Sequence, residues 1–525
     1  MNAGVRTSPL LTDLYQFTMA YAYWRSGKHE EEAVFEYFFR KCPFGGEFAI
    51  TAGLADFLRF LKEFRFSGDD IAYLCTIMPV EQEFYDWLAG VNAAAIRVYA
   101  AFEGSAVFPR VPILRVEGPL AICQLLETNL LYTMNFPSLV ATNAARYRLA
   151  AGPKAALLEF GLRRAQDGMR ASEYAWIGGF DGTSNVLAAR LFDIPVRGTM
   201  AHSFVSSFSS LNDLKTFGLT DTSGVDRDFV QAVTFHRAKL NFKDTNEGEF
   251  AAFIAYAQAF PSKFLALVDT YDTLKSGVPN FIAVASALAD FGYRPAGIRI
   301  DSGDLAYLSR EARRMFEEAD EVSERSGLAT CAIAVSNDIN EEVLRSLNRQ
   351  GHEINIFGIG THLVTCQGQP AFGGVYKLVA LAGRSTMKLS NEPEKITIPG
   401  AKDAYRLIGR DGKAILDLMT LAGAPAPKAG ERVLCRHPFA EAKRTYVVPS
   451  EVVPLLEPVV WDGERVMPFP SRSEIRAHVA SEIAELREDH LRDHEPTPYK
   501  VALSPELYDF LHGLWQREAP IGELR

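Results

Sequence analysis

Apolar residues Leu14, Phe17, Tyr21 and Trp24 recur every three or four positions, which predicts a helix within 8–25 opened by Ser8-Pro9. Thr12 or Asp13 would cap it, with Tyr15 in its first turn. The run A-V-F-E-Y-F-F-R at 33–40 alternates as a strand does and is closed by the turn C-P-F-G-G-E. Residues 53–94 read as helices broken at Ser67-Gly68 and Met78-Pro79. The text from 94 to 117, I-R-V-Y-A and V-P-I-L-R-V-E-G, is strand-like. Two helices are expected next, Leu120–Leu131 and Ser138–Leu149, the second carrying Thr142, Asn143, Arg146 and Arg148.

Between about 155 and 380 the rhythm changes. Short apolar runs end in polar residues or glycine and are followed by helical stretches: 196–199, 264–269, 297–301, 331–335 and 354–360. Strands alternating with helices imply parallel βαβ units, and polar residues collected at strand ends suit a barrel with its active site on that face. Ile298, Ile300, Ala332, Ile333 and Val335 read as packing residues. The polar stretch 213–249 reads as an insertion or a helical excursion. Beyond 380 come a hairpin turn at 409–412, several prolines and a charged helix at 473–493, with no internal repeat.

A chain of 525 residues exceeds one ordinary core, and 48% hydrophobic with 23% charged residues is normal globular usage. The net charge of −10 argues against a broad basic surface for nucleic acid or an anionic membrane, so any anion site must be locally focused. Cysteines at 42, 75, 123, 331, 366 and 435 are scattered without a C-x-x-C pair, which indicates neither a zinc site nor a disulfide scaffold and fits a reducing cytosol. The first residues read as neither signal peptide nor membrane span, and no later run is long and apolar enough to be one.

Three strand ends carry the chemistry. V-R-G-T-M-A-H-S-F at 196–204 puts His202 three residues beyond Thr199, where a neutral imidazole can attack a terminal phosphate or shuttle a proton. In G-I-R-I-D-S-G-D-L at 297–305, alternation sets Arg299 and Asp301 on one face and the isoleucines on the other. A buried ion pair is the competing view; a guanidinium fork for carboxylate or phosphate beside a ribose- or metal-binding carboxylate is the functional one. L-A-L-V-D-T-Y-D repeats the layout with Asp269 and Asp272. Asp269, Asp301 or Asp304 can help hold a magnesium pyrophosphate, against the alternative of helix capping.

Two further segments suit anions. F-G-L-R-R near 160 brings Arg163 and Arg164, and I-G-G-F-D-G-T-S-N at 177–185 lets backbone approach a ligand closely, unless it is a mere turn. F-G-I-G-T-H at 357–362 places Gly360 and Thr361 after a strand, suited to a phosphate on backbone N–H groups or to a plain strand-to-helix turn. Lys377, Lys388 and Lys395 read as solvated lysines unless a nucleotide role gains independent support.

The motifs T-D-L-Y-Q-F-T-M, R-K-C-P-F-G-G-E-F, S-L-V-A-T-N-A-A-R, F-G-L-R-R-A-Q, G-G-F-D-G-T-S-N-V-L-A, G-T-M-A-H-S-F, V-D-T-Y-D, R-I-D-S-G-D-L, G-I-G-T and G-G-V-Y-K-L-V occur in that order. In them the chain closely resembles the nicotinate phosphoribosyltransferase family, in its animal form, from residue 8 to about 420. The resemblance implies a type II phosphoribosyltransferase fold: an irregular α/β barrel at 151–380, an α/β flanking domain at 1–150, and a segment 381–525 that completes the flanking domain and adds a small one. It also implies a homodimer with its active site near the interface. The implied reaction joins nicotinate to phosphoribosyl pyrophosphate, giving nicotinate mononucleotide and pyrophosphate, coupled to ATP hydrolysis as the first step of NAD salvage from nicotinic acid.

By the same resemblance His202 matches the histidine that ATP phosphorylates. Thr199 and Arg299 match residues holding nicotinate, and Tyr15 the aromatic stacking on its ring. Phe160 is the expected opposing face, such stacking being worth ~0.5–1.5 kcal/mol beyond burial. Thr361 matches a contact to phosphoribosyl pyrophosphate, and Gly360, Arg163, Asp269 and Asp301 fall in matching motifs. Magnesium or manganese, on Asp301 and Asp304, is the implied metal. Ser184 stands where the sibling enzyme for nicotinamide has an aspartate, in keeping with a carboxylate substrate. The rival reading is a catalytically silent barrel that binds nicotinate or nucleotides as a regulator or scaffold, against which His202, Arg299, Asp301 and Tyr15 all being present argues.

Overall fold

The computed structural model describes residues 7–322, 327–390, 392 and 395–519. The first six residues, and positions 391, 393 and 394 of M-K-L-S-N-E-P-E-K, lie outside them. The chain divides into two compact units: Met1–Asn143 with Gly368–Arg525, and Ala144–Gln367.

In the second unit the short apolar runs form one parallel sheet of six strands. Their order is Leu265–Leu267, Gly297–Ile300, Ala332–Ser336, Ile356–Ile359, Ala156–Glu159, Gly182–Thr183. Of the helices between the strands, Val278–Asp290 and Gly168–Ile177 are buried nearly all round, while others bury one stripe. In Leu305–Val322 the buried positions Leu305, Ala306, Ser309, Ala312, Phe316 and Ala319 line a single face. Asn246 and Asn340 cap the helices Glu247–Ala259 and Glu341–Gln350 through their side chains.

One expectation changes here: the run 196–199 is not a strand but an isolated parallel bridge, Val196 to Thr183, because Pro195 and Gly198 punctuate it. Among the described residues no ladder joins the Leu265–Leu267 and Gly182–Thr183 strands, so the ladders form a parallel sheet with two ends. The segment after Pro195 lies between those ends: Arg197 N–H donates to Thr183 O (2.9 Å), and the Thr199 hydroxyl donates to Leu265 O (2.7 Å). The stretch 213–249 resolves into the hairpin Gly218–Thr220/Asp226–Asp228 followed by the helix Phe229–Lys239.

The first unit holds two larger sheets, both chiefly antiparallel. One has seven strands, centred on Glu32–Phe39 between Gly374–Leu381 and Leu114–Pro119. The other has six and comes wholly from the carboxyl-terminal third; its core is Leu407, Leu416, Leu418, Cys435, Val447 and Ala502. The helices broken at Ser67-Gly68 and Met78-Pro79 appear as Leu54–Glu63, Gly68–Ile77 and Gln82–Ala89, the middle one opened by a Ser67–Asp70 capping box.

The two helices expected at 120–131 and 138–149 are instead Leu120–Leu125 and a 25-residue helix, Glu127–Ala151, with Pro137 inside it. Proline removes the bond to the carbonyl four residues back, here Thr133. That carbonyl faces Gly53 so closely that a Cβ there would lie 2.1 Å from it. The charged helix expected at 473–493 runs only Arg472–Glu485, capped by Ser471.

Candidate active site

Because all six strands of the second unit run the same way, their carboxyl ends share one edge, and a cavity of about 610 Å³ opens there. Five of the six strands, or the loops after them, add to the lining; Leu265–Leu267 and its loop do not. Ala156–Glu159 is followed by Phe160, Arg163 and Arg164, Gly182–Thr183 by Ser184, and the bridging segment by Thr199. Gly297–Ile300 contributes Arg299 and then Asp301, Ala332–Ser336 leads to Asn337 and Asp338, and Ile356–Ile359 to Gly360 and Thr361. Eight of the residues singled out by sequence therefore share one wall: Phe160, Arg163, Ser184, Thr199, Arg299, Asp301, Gly360 and Thr361.

Strand alternation behaves as anticipated. Ile298 and Ile300 are fully buried, while Arg299 on the other face is half-buried and reaches the cavity. Among the described residues its guanidinium has no hydrogen bond or ion pair, and its Nε is buried without a partner. Burial holds Arg299 below the usual guanidinium range, against the pull of Asp301 and Asp269 and with Arg163 adding to the push. A partnerless buried cation is costly, and an incoming carboxylate or phosphate would relieve it.

His202 begins a short helix, His202–Val205, with its side chain 45% exposed. Its Nδ1 lies 3.1 Å from Thr270 Oγ1. Its Nε2 lies 3.7 Å from Asp301 Oδ2 and 4.0 Å from Asp269 Oδ1. Asp301 Oδ1 accepts from the Ser336 hydroxyl (2.6 Å), and the buried Asp269 accepts from Ser302 (2.5 Å). In the tautomer whose Nδ1–H donates to Thr270, Nε2 keeps the lone pair that a phosphoryl acceptor requires.

Other residues take different places. Asp304 Oδ1 accepts from Tyr307 N–H (3.0 Å) at the start of the Leu305–Val322 helix, so it is the capping alternative that the geometry fits, and it does not line the cavity. Asp272 likewise caps, accepting from Leu274 and Lys275 N–H. Tyr15 belongs to the first unit, half exposed, with its hydroxyl 3.4 Å from Glu127. The expected helix there is Leu14–Arg25, with Asp13 at the cap position but no side-chain cap bond. Lys377 lies 3.9 Å from Glu127, and Lys395 pairs with Glu392 at 2.6 Å. None of Lys377, Lys388 and Lys395 lines the cavity.

Sequence reasoning missed two groups. Asp338 lines the cavity with a positive φ of 40°, a conformation that costs a non-glycine residue energy and often marks a working loop. Its signal was available: S-N-D follows an apolar strand as the other polar strand ends do. The second is Glu159, fully buried, which accepts from the Ser172 (2.9 Å) and Thr183 (2.5 Å) hydroxyls and from Gly161 N–H. It anchors the turn that presents Phe160 and Arg163. Gly358 gives the Phe160 ring room, since a Cβ there would lie 2.5 Å from it.

Comparison with known proteins covers nearly all of the chain. Family models match in three consecutive parts: the nicotinate phosphoribosyltransferase N-terminal domain at 10–135, the nicotinate phosphoribosyltransferase family at 155–403, and the nicotinate phosphoribosyltransferase C-terminal domain at 401–511. The likeness thus extends past residue 420, where no motif had been assigned. A nicotinate phosphoribosyltransferase of Caenorhabditis elegans is 53% identical over 98% of this chain and 95% of its own length. One of Homo sapiens is 45% identical over 99% and 98%. The crystal structure of human nicotinic acid phosphoribosyltransferase superposes with a TM-score of 0.86 at 43% identity, covering 96% of this chain and 99% of that one.

Proposed function

The chain belongs to the nicotinate phosphoribosyltransferase family, and from that premise we propose that it joins nicotinate to phosphoribosyl pyrophosphate in the cavity of the second unit. The observation that carries this reading is Arg299, a cation in the cavity wall whose guanidinium makes no hydrogen bond or ion pair among the described residues, Asp301 and Asp269 acting on it only through space. It takes the nicotinate carboxylate, with the Thr199 hydroxyl beside it and Phe160 under the ring. Ser184 lines the same cavity and adds no negative charge to repel that carboxylate.

In the transfer the pyridine nitrogen lone pair forms a bond to ribose C1 while the C1–oxygen bond to pyrophosphate breaks and pyrophosphate leaves with the electron pair. Positive charge develops on the ribose and negative charge on the leaving group. Arg163, with the Gly360–Thr361 turn, stabilises the leaving group, and Asp301 orients the sugar. Magnesium or manganese fits as an ion borne by the pyrophosphate rather than by a protein cage. Among the described residues no group of three or more His, Cys, Asp or Glu side chains gathers to hold a metal, while Asp301 Oδ2 makes no hydrogen bond there and would hold the ion together with phosphate oxygens. Such an ion supplies charge neutralisation of the leaving group.

ATP coupling is part of the proposal. His202 Nε2 attacks the terminal phosphorus of ATP, an N–P bond forms, the P–O bond to the β-phosphate breaks and ADP leaves; the added charge then lies beside Asp301 and Asp269 and reshapes the site. Three further parts of the proposal are Tyr15 stacking on the ring, an irregular barrel closed through the 196–199 segment, and a homodimer. The cytosol is proposed as the compartment, in keeping with six free cysteines. Among the described residues no helix is long and apolar enough to cross a membrane.

Purified protein given phosphoribosyl pyrophosphate with either nicotinate or nicotinamide, with and without ATP, tests the reading. Nicotinate mononucleotide formation stimulated by ATP is expected, and turnover of nicotinamide alone overturns the substrate assignment. His202→Ala should retain slow transfer and lose the ATP stimulation; an unchanged response to ATP removes the phosphohistidine.

A further inference from the structure

A second cavity, of about 570 Å³, lies wholly within the first unit, in the size range of small-molecule sites. One wall is apolar and comes from the carboxyl-terminal sheet: Leu416, Cys435, Val501 and Ala502. The rim is cationic: Arg110, Lys443, Arg444 and Lys500 line it against one carboxylate, Glu47. Among the described residues Lys443, Arg444 and Lys500 form no side-chain hydrogen bond or ion pair. In a chain of net charge −10, such a gathering of like charge is a focused positive basin rather than part of a basic surface.

The polar groups around it are oriented. His437 Nδ1 accepts from Phe439 and Ala440 N–H (3.1 and 3.0 Å), which leaves its Nε2–H as a donor. Burial, then Lys443 and Arg110, hold this imidazole below its ordinary range, so it serves as a neutral donor among the cations. Arg110 adopts a left-handed backbone with φ 72° and sets its guanidinium 4.7 Å over the Phe439 ring. Glu47 spends one oxygen on Tyr499 N–H (3.3 Å); the other has no hydrogen bond among the described residues.

From this combination we infer that the cavity binds a nucleoside monophosphate as a second ligand, separate from the substrates. The phosphate dianion sits among Lys443, Arg444, Lys500 and Arg110, the base lies against Leu416, Val501 and Ala502, and the spare Glu47 oxygen accepts from a ribose hydroxyl or an exocyclic amine. A simple inorganic anion leaves the apolar wall unused, and an uncharged aromatic leaves Lys443, Arg444 and Lys500 unpaired.

Isothermal titration of the full chain with AMP and with inorganic phosphate tests the assignment, using wild type, Lys443→Ala/Arg444→Ala and Arg299→Ala. Both cations of the double variant are exposed, so folding should persist, which thermal melting checks. AMP should bind wild type and Arg299→Ala alike and bind the double variant roughly tenfold or more weakly, with inorganic phosphate weaker than AMP on wild type. Absence of AMP binding to wild type, equal binding to the double variant, loss of binding in Arg299→Ala, or phosphate binding as tight as AMP would each overturn it. Because turnover is not the readout, failure here leaves the transferase reading untouched.

Discussion

Two arginines withdrawn from water, one in each unit, are held in opposite ways. Arg406 in the carboxyl-terminal sheet is 2% exposed and fully engaged: it grips Asp417 bidentately (2.9 and 3.1 Å), donates to Glu482 (2.6 Å) and to Ala106 O (2.7 Å). Tyr499 completes the set by donating to Asp417 (2.8 Å). Burial alone would lower Arg406, but Asp417, then Tyr499 and Glu482, raise it well above its ordinary value. Arg299 has no such set and is held low by burial. Burial of a charge therefore does not by itself mark function. The satisfied arginine fastens a sheet, and the unsatisfied one, at a strand end lining a cavity, is the one we propose takes a ligand.

The largest expected contrast is in stability. Arg406→Leu leaves the fully buried Asp417 without its counter-charge and should cost ~3–5 kcal/mol, read from urea unfolding. Arg299→Leu should stay within ~1 kcal/mol of wild type because no native bond is lost. Equal losses in the two variants would break the distinction.

A buried carboxyl sharpens it further. Glu249 is fully buried with Oε1 unpartnered. Burial raises its pKa to about 7, with Asp269 and Asp272 adding to the rise and bonds from Ser276 and Asn280 opposing it. Its folded value lies above the unfolded one, so the folded state binds more protons between about 4.5 and 7, and stability from this group falls as pH rises through that window. Glu249→Gln should remove a change of roughly 2–3 kcal/mol between pH 5 and 7.5, measured as the difference between variant and wild-type urea curves at the two values. A pH-independent difference would contradict it. A smaller effect belongs to local capping: Ser67→Ala should lower stability by only ~1 kcal/mol, visible as a slight shift in thermal midpoint with transferase activity kept.

Much of the cavity wall was legible because it follows one rule: an apolar run ends, and polar residues at its carboxyl end meet those of the neighbouring parallel strands. Arg299, Asp301 and Thr361 were readable on that rule alone, with the family resemblance supplying their roles, while Thr199 was reached through a strand that proved to be a single bridge. Ser336–Asp338 obeys the same rule but spells an ordinary turn. Glu159 was invisible because its partners Ser172 and Thr183 lie 13 and 24 residues away, a distance that local pattern cannot bridge. The helix through Pro137 defied the usual breaker rule because Gly53, distant in sequence, shelters the freed carbonyl. The second cavity draws on residues near 47, 110, 416, 435–445 and 497–502, and no single stretch of sequence announces it.

The central claim is that Arg299 lacks a protein partner because the substrate carboxylate is its partner. The ratio of kcat/KM for nicotinate to that for nicotinamide, measured in wild type and in Arg299→Ala, tests this most directly. The account predicts that the preference for nicotinate collapses by roughly a hundredfold in the variant. A preference that survives unchanged, whatever happens to the absolute rate, would contradict it.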